Sequence, residues 1–136
     1  NPAHVDLDLE IDRFGRKIEA GAEFFFSQPM YDPEVLFQFM ERTKKFDEVP
    51  FMVGILPLAS HKNAEFLHNE VPGMAVPLEI RERLRKATTR KDQRQIGVEI
   101  ARDTLAMARE HPRIKGAYIY PPFGSYQAVM KVVGEL

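Results

Sequence analysis

The stretch GAEFFFSQPMYDPE, residues 21–34, decides the fold. Gly21 is a stop signal for a preceding helix. Phe24, Phe25 and Phe26 make a short continuous apolar run, which reads as a strand buried on both faces. Asp32 then offers an N-cap, Pro33 suits the first helical position, and Glu34 suits the positive end of a helix dipole. Strand followed at once by helix is the repeating unit of a parallel α/β fold. One question remains inside the stretch: the apolar run gives way to Ser27, Gln28 and Pro29, with a long polar amide where the chain leaves the core.

Working outward, residues 6–20 carry Leu7, Leu9, Ile11, Phe14 and Ile18 at helical spacing. Beyond residue 34, Leu36, Phe39 and Met40 form the inner stripe of the second helix. PFMVGILPL, residues 50–58, reads as a second buried strand, and Ser60 caps a helix through residues 61–70. VPGMAVP, residues 71–77, reads as a short third strand between Pro72 and Pro77. A helix on Ile80, Leu84 and Ala87 follows. A longer one starts at Asp92, with Ile96, Ile100, Thr104 and Met107 on one line. Its Gly97, Ala101 and Ala108 form a small-residue face able to approach a sheet closely. GAYIYPP, residues 116–122, reads as a fourth strand, and residues 124–136 as a last helix on Tyr126, Val129, Met130 and Val133.

The order is α, then βα four times. Apolar strands in that order imply a parallel sheet covered by helices. A doubly wound open sheet and a (β/α)8 barrel both satisfy it. Four such units amount to half of an eightfold barrel, which takes ~250 residues, and 136 residues are the size of one domain.

Composition narrows the function classes. With 44% hydrophobic and 10% aromatic residues, the chain has the material for a core and does not resemble a disordered one. A net charge of -1 gives no global attraction to nucleic acid or anionic membrane. The absence of cysteine excludes disulfides and thiolate chemistry; it fits a reducing, cytoplasmic setting, although a secreted protein can also lack cysteine. No apolar run reaches the length of a membrane span. The acidic start NPAHVDLDLE is not a signal peptide, and the lack of an initiating Met suggests a fragment or a processed chain.

In parallel α/β folds, ligands bind at the C-terminal ends of the strands. Gln28 sits just past the Phe run, so its amide points into that mouth, where two donors and an acceptor suit the edge of a heterocycle. Capping of the strand or bonding to backbone is the alternative. His61, after the second strand, can stack over a ligand or simply start a helix. Tyr120, ending the fourth strand, can bond a ligand or serve the core. His61, Glu65 and His68 share one helix face, but HExxH is absent and no fourth ligand is evident, so no metal is assigned. RERLRKATTRKDQR, residues 81–94, is basic but interrupted by acids and lacks aromatics, so it reads as a solvated face. No Walker loop or GxGxxG is present. Arg13, Arg16 and Lys17 put three cations on one face of the first helix. They are either salted by Glu10, Asp12 and Glu19 or a grip on an anionic cofactor.

RKIEAGAEFFFSQPMYDPE, VGILPLASHKNAEFL, EVPGMAVP, GVEIARD and IYPPFGSY, taken in order, resemble methylenetetrahydrofolate reductase. The likeness spans nearly the whole chain. PPFG, residues 121–124, is similar to members fused to a homocysteine methyltransferase domain. The resemblance implies a (β/α)8 barrel with FAD. NAD(P)H reduces the flavin, and methylenetetrahydrofolate takes the hydride to become methyltetrahydrofolate. It implies that this chain is the C-terminal half of the barrel, four parallel strands with outer helices, in a protein of one-carbon metabolism.

It also assigns residues. Gln28 matches the family Gln that contacts pterin and nicotinamide. Arg16 and Lys17 match a cationic pair on FAD. Asn1, Glu10 and Arg13 lie where other FAD contacts occur, with Asn1 and Arg13 differing in type from the single-domain bacterial pattern. His61 stands where a Phe stacks on folate, and Tyr120 matches a Tyr near the substrate. Gly124 replaces a folate-binding Arg, so the tail of the substrate must be held differently. The family's acidic groups for folate activation and flavin tuning belong to the first half, so the chain alone is expected not to catalyse the reaction. A half barrel leaves sheet edges and an inner face uncovered, which invites a homo-oligomer or the missing half as partner. The rival readings are a non-catalytic half-barrel binding or dimerisation module, and an aldolase. An aldolase needs a Lys at a strand end, and no strand here ends in one.

Overall fold

In the computed structural model, residues 1–134 are described; the last two positions of the helix expected over 124–136 lie outside them. The first helix, α1 (Leu7–Glu19), is capped by the Asp6 carboxylate, which accepts from the Leu9 N–H at 2.9 Å. Strand β1 (Phe25–Pro29) leads into α2 (Pro33–Arg42), where the Asp32 carboxylate accepts from the Glu34 N–H at 2.9 Å. Strand β2 (Phe51–Ile55) is followed by α3 (His61–Glu70), capped by Ser60. Helix α4 (Leu78–Lys86) and the 21-residue α5 (Arg90–Glu110) come next, then β3 (Ile114–Ile119) and α6 (Tyr126–Val133). The long helix starts two residues before the expected Asp92. Thr89 is its cap, accepting from the Asp92 N–H at 3.1 Å and donating to the Asp92 carboxylate at 2.7 Å.

The sheet has three parallel strands in the order β1-β2-β3, and not the four expected. Residues 71–77 form no ladder. β3 takes the lane beside β2, and Pro72 and Pro77 remove two donors from a seven-residue stretch. That stretch instead lays Met74 and Val76 into a second apolar cluster with Leu58, Leu67, Leu84 and Ile100. The observed fold is thus an open α/β sheet with outer helices, consistent with part of a (β/α)8 barrel.

The main core lies between the sheet and its helices. Leu36, Phe39 and Met40 of α2 meet Phe51, Val53 and Ile55 of β2 and Val98, Ala101 and Leu105 of α5. Phe14 of α1 packs against Phe25, ring centroids 4.2 Å apart. Each such fully buried side chain contributes about 1.5–3 kcal/mol. Gly97 lets α5 lie directly on the chain after β2: a Cβ there would come within 1.8 Å of the Leu58 carbonyl oxygen. The expected small-residue face is real and does this work.

Only one face of the sheet is covered, which corrects the expectation of a Phe run buried on both. Phe24 and Phe26 are 51% and 52% exposed, whereas Ser27 and Pro29 are buried. The expected stripe of α5 is buried at Ile100 and Thr104 and breaks outward at Met107, while that of α6 faces outward. Met107 of α5 is exposed, as are Tyr126, Met130 and Val133 of α6, whose buried residue is Val132.

Candidate functional site

The uncovered face carries an aromatic row that runs from the entry of β1 to the C-terminal end of β3. Phe24 meets Phe26 edge-on at 5.6 Å, Phe26 meets Tyr118 at 5.7 Å, and Tyr118 meets Tyr120 at 4.5 Å. The alternation along β1 places Gln28 with Phe26 on this face. The Gln28 amide is exposed and has no hydrogen-bond partner among the described residues. The residue that ends the Phe run is therefore a free amide at the strand's C-terminal end, beside a hydrophobic platform. Among the described residues the amide makes no hydrogen bond to strand or backbone.

A local irregularity fixes Gln28. Phe26 pairs with Met52 and Pro29 with Gly54, so β1 holds one more residue than β2 between those points. Ser27 repairs the break. Its buried hydroxyl accepts from the Gly54 N–H at 2.8 Å and donates to the Gln28 carbonyl at 2.6 Å. Gly54 permits the close approach, since a Cβ would stand 2.8 Å from the Ser27 carbonyl oxygen and 2.9 Å from that of Gln28. Bulges of this kind re-aim side chains next to sites.

Tyr120 lies just past β3, its N–H donating to the Ile55 carbonyl at 2.8 Å. Burial, with Tyr118 adding, pushes its phenol above the ordinary value, so it remains a neutral donor at neutral pH. His61 stands apart from these residues. Its N–H donates to the Gln93 side-chain oxygen at 3.1 Å, and its Nε2 lies 3.3 Å from Glu65. Glu65 is bound by both its oxygens to Arg81, at 3.1 and 3.0 Å. Desolvation is the largest single influence and opposes ionisation of Glu65, but the bonds and charge of Arg81, with Asn69 and His61 adding, together outweigh it and hold the carboxyl below its usual range. His68 turns away to accept from the Val76 N–H at 3.3 Å. Among the described residues no group of three or more metal-ligating side chains is drawn together.

The α1 cations occupy the helix on the covered side, and no contact joins them to Gln28 or Tyr120. Arg16 pairs with Asp12 at 3.0 Å, both exposed, while the Lys17 amine is exposed with no partner among the described residues. Arg13 lies 3.9 Å from Glu10, whose carboxylate accepts from the Asn1 amino group at 2.5 Å. The Asn1 amide donates to the Gly73 carbonyl at 3.0 Å, tying the first residues to the 71–77 loop. Sequence reasoning missed Ser27, Phe26 and Tyr118 as parts of this site. The signal was the serine breaking an apolar run, together with a Gly in the neighbouring strand.

A family model, described as methylenetetrahydrofolate reductase, matches residues 1–123. No curated protein matches the chain. The match covers most of the 136 residues, and the chain belongs to that family of FAD-dependent oxidoreductases of folate one-carbon metabolism. Among the described residues no helix is long and apolar enough to cross a membrane.

Proposed function

We propose that this family member serves the reduction of 5,10-methylenetetrahydrofolate to 5-methyltetrahydrofolate by NAD(P)H, as a C-terminal portion of the reductase barrel. The observation that carries the reading is the unpartnered Gln28 amide on an open aromatic face at the C-terminal end of a parallel sheet. A flat heterocycle lying on Phe26 and Tyr118 would present its donor and acceptor edge to that amide. Tyr120, held as a neutral phenol, flanks the ring. His61, paired with Glu65 at the start of α3, stands apart from this ring position and would serve only a more distant part of the ligand.

FAD, when bound, supplies hydride transfer. This chain's residues fit a dinucleotide in two respects. Lys17 offers an unpartnered ammonium, and Arg16 an exposed guanidinium held only by a surface pair, which is worth little. Arg13 and Glu10 stand on the same helix, and Asn1, ahead of it, is bonded to Glu10. Nothing among these residues acts as general acid or base, so their work is to orient rings and exclude water. The chain alone is therefore inactive in this reading. The missing strands of the barrel, and in the parent a homocysteine methyltransferase domain, complete the cytoplasmic protein. A second reading rests on the uncovered sheet face: a binding or dimerisation module without catalysis.

The test is stopped-flow on a reductase carrying this segment. Gln28→Ala is expected to slow reoxidation of reduced flavin by the folate at least ~10-fold, a loss of about 1.4 kcal/mol of transition-state binding. Both half-reactions unchanged would remove Gln28 from the ring site.

A further inference from the structure

The extra residue of β1 goes to a definite place. From Phe26 to Pro29 the chain takes three steps, while β2 takes two, from Met52 to Gly54. Alternation puts position 54 on the same face as Met52, whose partner Phe26 lies on the open side. A Cβ on Gly54 would stand 2.8 Å from the Ser27 carbonyl oxygen and 2.9 Å from both atoms of the Gln28 carbonyl. The Ser27–Gln28 backbone therefore fills the space that a side chain at 54 would take. The bulge bows over the open face and carries Gln28 with it, as bulges beside sites do.

Gly54 also grips β1 on both sides of Gln28. Its N–H donates to the buried Ser27 hydroxyl at 2.8 Å, and its carbonyl accepts from the Met30 N–H at 3.0 Å. The Ser27 hydroxyl in turn donates to the Gln28 carbonyl at 2.6 Å. The backbone of Gln28 is thus fixed, while its side-chain amide has no partner among the described residues. A rigid mount under an uncommitted polar group is the arrangement that preorganised recognition requires.

We propose that Ser27 and Gly54 are positioning residues of the ring site. Gly54 supplies the room and Ser27 the tether, and together they set how far the Gln28 amide projects over Phe26 and Tyr118. Neither touches the ring. The inference rests on the reading of Gln28 as the group that meets the folate ring, and it adds which residues decide the placement of that amide.

The test is a double-mutant cycle in the FAD-loaded reductase carrying this segment, read as the rate at which the folate reoxidises the reduced flavin. Ser27→Ala should slow that step by up to about tenfold, and no more than Gln28→Ala does, because it acts through that amide. Ser27→Thr keeps the hydroxyl and should recover part of the rate. Ser27→Ala/Gln28→Ala should be as slow as Gln28→Ala alone, an outcome that a merely structural loss does not produce. Where Ser27→Ala does not fold, Ser27→Cys, nearly isosteric but a weaker hydrogen-bonding group, takes its place in the cycle. A second readout needs no flavin. In the 136-residue chain, folate should shift the Gln28 side-chain amide resonance less in Ser27→Ala than in the parent or in Ser27→Thr. If Gln28→Ala leaves the step unchanged, the ring-site reading fails and this inference fails with it. If Gln28→Ala slows the step but the folded Ser27 variant does not, or if the two losses multiply in the double variant, the ring site stands and the positioning role is overturned.

Discussion

The Ser27 hydroxyl accepts the Gly54 N–H at 2.8 Å, across two parallel strands and at the point where their register slips. It stands in for a backbone acceptor that the bulge has displaced, and it holds Gln28 on the open face. Ser27→Ala leaves the buried Gly54 N–H without an acceptor. A loss of about 1–3 kcal/mol is expected in urea unfolding, because an unsatisfied buried donor loses its water as well as its partner. Ser27→Thr, which keeps the hydroxyl, should recover part of it.

Two glycines distinguish close approach from spare room. A Cβ on Gly97 would fall 1.8 Å from the Leu58 carbonyl oxygen, which is backbone and cannot step aside. On Gly15 it would meet only the tip of the Phe46 ring, at 3.1 Å. Gly97→Ala is expected to push α5 off the sheet and cost several times what Gly15→Ala costs, on the order of 3 kcal/mol or more. Thermal unfolding of the two variants side by side checks this order.

Arg113 is buried at the start of β3 and ties three parts of the chain. It donates to the Val49 carbonyl at 3.3 Å and to the Thr43 carbonyl and hydroxyl at 3.1 and 2.8 Å, while its guanidinium lies over the Phe14 ring. Desolvation lowers its pKa, with Asp47 opposing, yet it remains charged. Arg113→Ala strips the buried Thr43 and half-buried Val49 acceptors and should cost about 3 kcal/mol in chemical denaturation.

His111 gives the fold a pH dependence. Its ring stacks on Phe37 with centroids 5.7 Å apart, and its Nδ1 accepts from the Arg113 N–H at 3.3 Å. Burial first, and Arg113 second, hold its pKa below the ordinary 6.5, against a smaller opposite pull from Glu41. Between the lowered value and 6.5, the unfolded chain therefore binds more protons than the folded one. The stabilisation is complete above pH 6.5 and is lost as pH falls through the folded value. Melting temperature should decline over that acidic range, and His111→Gln should flatten the decline.

The elements were legible where local chemistry and tertiary packing agree. Asp32-Pro33-Glu34 announced α2, and the small residues of α5 announced its close approach. Pattern misled where the fold leaves a surface uncovered. Phe24 to Phe26 is apolar on both faces, but a partial sheet covers one. The 71–77 stretch has strand-like residues, yet β3 occupies the place it would need. For the site, Gln28 could be placed from its position after the run. Ser27 could not, because its role depends on a register slip that no single segment encodes.

The central claim is that the Gln28 amide reads the edge of a ring lying on Phe26 and Tyr118. The direct measurement is a folate titration of the 136-residue chain, followed by NMR of the Gln28 side-chain amide and the Tyr118 ring. The account predicts saturable shifts at both, lost at Tyr118 when Gln28→Ala is titrated. Saturable shifts elsewhere with these two groups unmoved, or no saturable shift anywhere, would contradict it.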